Sequence, residues 1–447
     1  MQKNHYKLLN KVKKEILQRR AQSLHQAVIV NLVRQQPPQQ LKRSWNIEIK
    51  VGKRPSFELP AKVSITQVFD RMKGKLLLLG NPGSGKTTTL LELARRLIIC
   101  AEKEPNSPIP VLLNLATWQG ESLEILDWLI AQVKFKYNIP HKVTRNWLEN
   151  QHLSLLIDGF DQISPELSEQ CLAAINQLSL NFQPRDLVVC SSFEAYKNCQ
   201  NKFRLNAAVL LQPLSTNQIK DYLLEARSRE LWQNIQDEPN LLNLAETSLM
   251  LTMMTLAYEE ILIASWRRIT SETGRQKYLF NAYIRHQLGG EISHKWYSSS
   301  REPLPEQTRR WLAWLANRMA VENCQEFSIE KLKPTWLENN GEFQTYQLIF
   351  KLISVLFWGF TFGFIFTLVL GLYEGLISGA IGGLIGGLFG LPGLRNLVMR
   401  IVLFSNGHIP WNYRRFLNYA ASRLLLQKVG DRYQFIHHLL YEHFADM

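Results

Sequence analysis

The residues best suited to chemistry fall in two short runs about 70 positions apart. The first is Gly80-Asn81-Pro82-Gly83-Ser84-Gly85-Lys86-Thr87, a match to GxxxxGK[ST] that follows an apolar run and opens a helical one. Glycines let the main chain wrap around phosphate oxygens, and amide N–H groups at a helix N-terminus face the anion. Lys86 is placed to reach the β- and γ-phosphates as a point charge, and the Thr87 hydroxyl to ligate Mg²⁺, with Thr88 beside it. The second run, residues 153–157 (LSLLI), ends in Asp158-Gly159-Phe160-Asp161. Asp158 is the expected carboxylate partner of Mg²⁺, and Asp161 the candidate catalytic residue that orients attacking water. Asp-Gly is also an ordinary turn, but the apolar strand before it favours a Walker B motif. Together these runs imply a site for ATP or ADP with Mg²⁺.

Such a site needs a rigid scaffold. Residues 75–79, 109–113, 153–157 and 186–190 are short apolar runs bounded by polar residues, as buried parallel strands are. Helical patterns lie between them at 87–100, 123–136 and 166–178, so residues 55–215 are expected to form a doubly wound α/β P-loop NTPase core. Residues 216–345 read as an all-helical domain. Residues 346–394 then change character. The uncharged apolar run 352–370 is long enough to span a bilayer, and a second, 375–394, follows a turn holding Glu374. They read as a transmembrane helical hairpin. Lys351 before it and Arg395 and Arg400 after it place both ends, the NTPase and the C-terminal segment on the cytoplasmic side of a two-span membrane protein. Gly371, Gly375, Gly379, Gly383 and Gly387 recur every four residues, a face that suits either packing inside the hairpin or self-association in lipid.

Composition limits the remaining possibilities. Charged residues make up 20% and apolar residues 46%, a folded profile. Five cysteines without a CxxC pair give no zinc or redox signature. The charged start lacks a signal-peptide core. The net charge is +14, and the basic helical region 1–54 holds thirteen Lys or Arg against Glu15 and Glu48. That block suits anionic lipid, nucleic acid, an acidic partner or simple solvation of a helix face. Leu8, Leu9, Val12, Ile16 and Leu17 share one amphipathic stripe within it, and residues 35–40 read as a linker.

Three runs, GNPGSGKTTTLLELA, PVLLNLATW (110–118) and LLIDGFDQI (155–163), resemble a NACHT-type NTPase of the signal-transducing STAND class, in its cyanobacterial form. The likeness extends through residues 210–219 and 243–251, and returns at 433–445, which resembles a winged-helix segment within 395–447. The resemblance implies a molecular switch, closed with ADP and free to form a homo-oligomer with ATP. It implies that His437 contacts the β-phosphate in the closed state. Three positions depart from the family pattern. Gln162 stands where Glu is usual, Ser192 where an Arg senses the γ-phosphate, and Ser248 where a proline is expected. Gln orients water but accepts no proton from it, so binding with slow or absent hydrolysis is expected, a weak ATPase at most.

The resulting expectation is a membrane-anchored nucleotide switch in signalling or defence, contacting lipid through residues 352–394. A separate sensor protein is a possible partner, since no repeat array is visible. The alternatives are an active membrane-associated ATPase and a nucleic-acid-binding regulator. Nucleic acid is not an expected partner, because the basic segment lacks interleaved aromatics.

Overall fold

The structure is a computed structural model and describes residues 2–24, 47–50, 57–58, 64–104, 106–118, 120, 124–290, 295–298, 301–322, 324–337, 339–389 and 394–447. The linker expected at 35–40 and much of the basic segment beyond residue 24 lie outside these.

Five parallel strands form the centre of a seven-stranded sheet. They are β3 (Lys75–Gly80), β4 (Ile109–Asn114), β5 (Leu153–Asp158), β6 (Asp186–Ser191) and β7 (Ala207–Leu211), in the spatial order β7-β3-β6-β5-β4. β1 (Ile47–Lys50) pairs antiparallel with β7, and β2 (Phe57–Glu58) with β1. Four parallel strands fall where the apolar runs predict them. β7 is a fifth that those runs do not predict, because its alternation of buried and half-buried positions resembles an edge more than a core. β6 lies between β3 and β5, so the P-loop and the Asp158 turn leave the same end of the sheet with one strand between them.

Helices α1 (Gln2–Ala21), α2 (Ile65–Arg71), α3 (Lys86–Lys103), α4 (Ile125–Tyr137), α5 (His141–Glu149), α6 (Pro165–Phe182) and α7 (Phe193–Lys197) accompany the sheet. Local chemistry sets several of their starts. Ser64 with Gln67 makes a capping box for α2, and Pro165 opens α6. Leu8, Leu9, Val12 and Ile16 of α1 are buried in the same apolar cluster as the sheet, whereas Leu17 is 51% exposed. The N-terminal helix is therefore part of the α/β body, packed on α3 and β4.

Beyond β7 the chain is helical: α8 (Thr216–Glu225), α9 (Arg229–Gln236), α10 (Pro239–Ala245), α11 (Ser248–Leu256), α12 (Ile263–Arg267), α13 (Glu272–Gly289) and α14 (Pro305–Val321). These share one second apolar cluster with α17 (Arg395–Ser405), α18 (Tyr413–Ser422), the hairpin β8 (Leu426–Val429) and β9 (Arg432–Phe435), and α19 (His438–Ala445). Between α14 and α17 stand α15 (Asn340–Leu370) and α16 (Leu372–Phe389), an antiparallel pair turning at Gly371, whose φ is +102°.

α15 is long and apolar enough to cross a membrane by length and composition, and α16 holds a shorter apolar stretch, Leu372–Gly386. Their contact is made by the glycines of α16, which pack on Gly359, Gly363, Phe362 and Trp358 of α15. A Cβ on Gly379 would lie 2.9 Å from the Gly359 carbonyl, and one on Gly383 3.1 Å from that of Val355. Gly363 lies against Gly375 and Gly379. The described part of the glycine face from Gly375 to Gly383 is thus spent inside the hairpin, while Phe360, Leu368, Tyr373 and Leu384 project outward.

Candidate nucleotide site

β3 delivers the chain into the loop 80–85, and α3 begins at Lys86 with no side-chain cap on its first turn. Its leading N–H groups therefore have no helical acceptor. Gly83 (φ +79°) and Gly85 (φ +97°) hold left-handed conformations that other residues adopt only with strain. The Lys86 ammonium, 9% exposed, donates to the carbonyls of Gly80 (2.8 Å) and Asn81 (3.2 Å) and lies 3.4 Å from Asp161. The Ser84 hydroxyl inside the loop is buried without a hydrogen-bond partner.

At the end of β5, Asp158 accepts from the Thr87 hydroxyl at 2.7 Å and from the Gly159 amide at 2.9 Å. Burial raises its pKa. The Thr87 hydrogen bond opposes that, and the neighbouring charge of Asp161 adds to it. A hydroxyl and a carboxylate in contact offer the hard oxygen donors that Mg²⁺ takes alongside phosphate. No group of three or more His, Cys, Asp or Glu suited to a metal occurs among the described residues, so any Mg²⁺ here would depend on phosphate oxygens. The uncapped first turn of α3 fits an anion in the same place.

These groups open on a cavity of about 470 Å³. Pro82, Gly83, Gly85, Lys86, Thr87, Thr88, Asp158 and Asp161 line it, while Gly80, Asn81 and Ser84 of the loop do not. The opposite wall comes from distant chain. Leu214, Gln218 and Tyr222 line it from the start of the helical region, and Ser248, Leu249 and Thr252 from α11. The Ser248 hydroxyl (3.0 Å) and the Leu249 amide (3.1 Å) both donate to the Gly83 carbonyl, tying α11 to the P-loop. His437 lines the cavity as the N-cap of α19. Its Nδ1 accepts from the Leu439 amide at 3.1 Å, which fixes the proton on Nε2. Burial, then the charges of His438 and Lys86, lower its pKa to about 3, so the ring is neutral near pH 7.

Two of the departures, Ser192 and Gln162, have structural occupations. Ser192 caps α7, its hydroxyl accepting from the Ala195 amide at 3.1 Å. Gln162 accepts from Gln325 at 2.8 Å, and Gln325 accepts from Asn114 at 2.6 Å. This amide chain joins the ends of β4 and β5 to the segment between α14 and α15. Gln325 and Arg19 are site residues that sequence reasoning missed, since only tertiary contact brings them there; Ser248 was visible only as a departure from an expected proline.

The NACHT domain model matches residues 75–230. The match runs from β3 to the start of α9 and takes in the P-loop, Asp158, Asp161, Gln162 and Ser192. The sheet and the P-loop are those of a P-loop NTPase followed by a helical region. Two solved structures are also similar. Cdc6p from Pyrobaculum aerophilum is 12% identical, with 85% of this chain and 93% of that chain covered, at a TM-score of 0.30. The Drosophila ORC bound to DNA is 14% identical, with 85% and 83% covered, at the same TM-score. Likenesses so distant say nothing about function. No curated protein matches.

Proposed function

We propose that the chain is a membrane-anchored molecular switch that binds ATP and ADP with Mg²⁺ in its NACHT-like region and turns ATP over slowly or not at all. One observation carries the reading. The P-loop and the Thr87–Asp158 pair face a single cavity whose other walls come from α1, the helical region and the C-terminal segment with His437. A ligand held by both walls favours the arrangement in which they meet, and a ligand held by one does not. Bound Mg²⁺ would neutralise phosphate charge between Thr87 and Asp158. The loop amides bind the phosphates, Lys86 holds their charge, and His437 offers its Nε2–H to the diphosphate.

Slow turnover follows from two side chains. Gln162 is no proton acceptor and is held by Gln325, and Ser192, used as a helix cap, brings no positive charge. Asp161 lies against Lys86 and is the remaining candidate to orient water. The membrane part of the proposal rests on α15 and α16, whose outward apolar side chains reach 75% exposure at Phe360. The basic flanks keep both ends on one side, and that side is cytoplasmic where ATP is found. A signalling or defence role and an ATP-dependent homo-oligomer follow the NACHT resemblance.

The test is nucleotide content and turnover of detergent-purified full chain, wild type against Gln162→Glu. Retained ADP or ATP with negligible wild-type turnover, and turnover gained by the variant at unchanged affinity, supports the switch. Rapid wild-type turnover points to an active ATPase, and absence of retained nucleotide ends the proposal. Flotation with liposomes, lost on removal of residues 346–394, tests the anchor.

A further inference from the structure

We infer that Arg19, on the N-terminal helix, is the residue that distinguishes a bound triphosphate from a diphosphate; this rests on the nucleotide reading above and goes beyond it by assigning the terminal phosphate its own cation. Among the described residues lining the cavity, Lys86 and Arg19 alone carry a permanent positive charge. Lys86 emerges from the P-loop itself and serves either nucleotide. A γ-phosphate adds negative charge beside Asp158 and Asp161, and Ser192 offers no cation to balance it.

Arg19 lines the same cavity as Asp158 and Asp161. Its side chain is 11% exposed, with one terminal nitrogen 3.1 Å from Glu15 and 3.7 Å from Glu326. Its Nε is buried and has no hydrogen-bond partner. Glu326 follows Gln325, which donates to Gln162, the neighbour of Asp161 in the chain. The guanidinium also feels Asp158. Burial works against its charge, but Glu15 and Glu326, then Tyr137 and Asp158, outweigh burial and raise its pKa. A planar guanidinium with an unmet donor is well matched to phosphate oxygens, with which it forms paired hydrogen bonds. Glu15 and Glu326 are its present acceptors. A terminal phosphate competes with them by a change of side-chain rotamer, whereas of the two cations a diphosphate meets only Lys86.

The experiment measures dissociation constants for ADP and for a β,γ-imido analogue of ATP, both with Mg²⁺, on the full chain in detergent. Arg19→Gln is expected to weaken the triphosphate analogue tenfold or more and to leave ADP within twofold. Arg19→Lys, which keeps the charge and loses the paired geometry, restores only part of that. Glu326→Gln removes one competing acceptor, lies outside the cavity lining and is expected to tighten the analogue several-fold without moving ADP. Should Arg19→Gln fail to fold, the Glu326→Gln affinities decide the question in its place. Equal changes for both nucleotides, or none for either, show Arg19 to be structural and overturn the inference while nucleotide binding stands. A wild type that binds neither nucleotide overturns both readings, a different outcome from the first.

Discussion

The cavity has two walls built on different principles. The α/β wall is local: loop 80–85, the first turn of α3 and the end of β5 arise from two contiguous runs, and much of their binding capacity is main chain. The facing wall is assembled from α1, α8, α11, the Gln325 segment, β8–β9 and α19, elements that lie far apart in the chain. Hydrogen bonds from Gln427 to the Arg19 carbonyl, from the Lys428 amide to Gln22 and from the Gly430 amide to Gln18 show how far that reach goes. The lesson is a division of labour. On the proposed reading the first wall holds phosphate by itself, whereas the second depends on contacts between the N- and C-terminal parts and so would report what is bound.

The largest test of that difference is the clasp beneath the second wall. Glu15 is buried and accepts from Lys136 (3.0 Å) and Tyr137 (2.8 Å) while pairing with Arg19. Burial alone would raise its pKa, but Lys136, Arg19 and these hydrogen bonds hold it at about 2. Glu15→Gln leaves buried cations short of a counter-charge, at a cost of about 3–5 kcal/mol, a fall in Tm on the order of 10 °C. The carboxylate's stabilisation is complete above its ordinary pKa of 4.5 and is lost as pH falls from there to about 2; that acid limb should vanish in the variant. Calorimetry across pH checks both. An unchanged Tm would mean that α1 is not what holds the second wall.

Next is the first wall. Lys86→Ala removes the charge common to both nucleotides, so ADP and ATP affinity should each fall roughly 100-fold, about 2.8 kcal/mol, with Tm of the nucleotide-free protein little changed. Equilibrium dialysis against differential scanning calorimetry separates the two quantities. A loss confined to ATP would contradict the division between Lys86 and Arg19.

Gly83 is where the walls touch. A Cβ there would lie 2.8 Å from the Thr247 methyl and 3.0 Å from the Leu249 Cβ, on a backbone with φ of +79°. Gly83→Ala should cost about 2 kcal/mol from strain and displacement together and should separate α11 from the P-loop. Hydrogen exchange at the Leu249 amide, which donates to the Gly83 carbonyl, is the readout. Protection equal to wild type would show that the joint adapts.

The same division governs how much of the molecule was legible before folding. The P-loop, Asp158 and four of the parallel strands depend on residues adjacent in the chain, and their spacing alone places them. β7 escaped because its half-buried alternation carries little of the continuous apolar signal of its neighbours. Arg19 looked like one member of a basic block, and nothing in its own neighbourhood announces that Glu15 and Glu326 hold it at a cavity edge. Gln162 and Ser192 were visible as departures, but their partners, Gln325 and the Ala195 amide, are supplied by folding. The glycine face was visible too, and sequence periodicity left its partner open; proximity to Gly359 and Gly363 supplies it.

The smallest expected effect is also the most specific to the second wall. His437 caps α19 in its neutral form, and His443, also on α19, donates from Nε2 to the Asn281 side-chain oxygen at 3.2 Å. Burial is the chief cause that lowers their pKa values, to about 3 and about 4. An imidazole with a folded pKa below its ordinary 6.5 binds its proton more readily unfolded, so its contribution is intact above pH 6.5 and drains away as pH falls. Each ring then costs at most about 1.4 kcal/mol per pH unit in that window, and less for His437, which is only half-buried. His437→Asn keeps an N-cap acceptor and removes one titrating group. Between about pH 6.5 and 5 the variant should therefore lose stability more slowly than wild type, while the acid limb that belongs to Glu15 stays the same. Parallel slopes for the two proteins would mean that the His437 ring is already protonated or solvated. The far wall would then meet the diphosphate through other atoms.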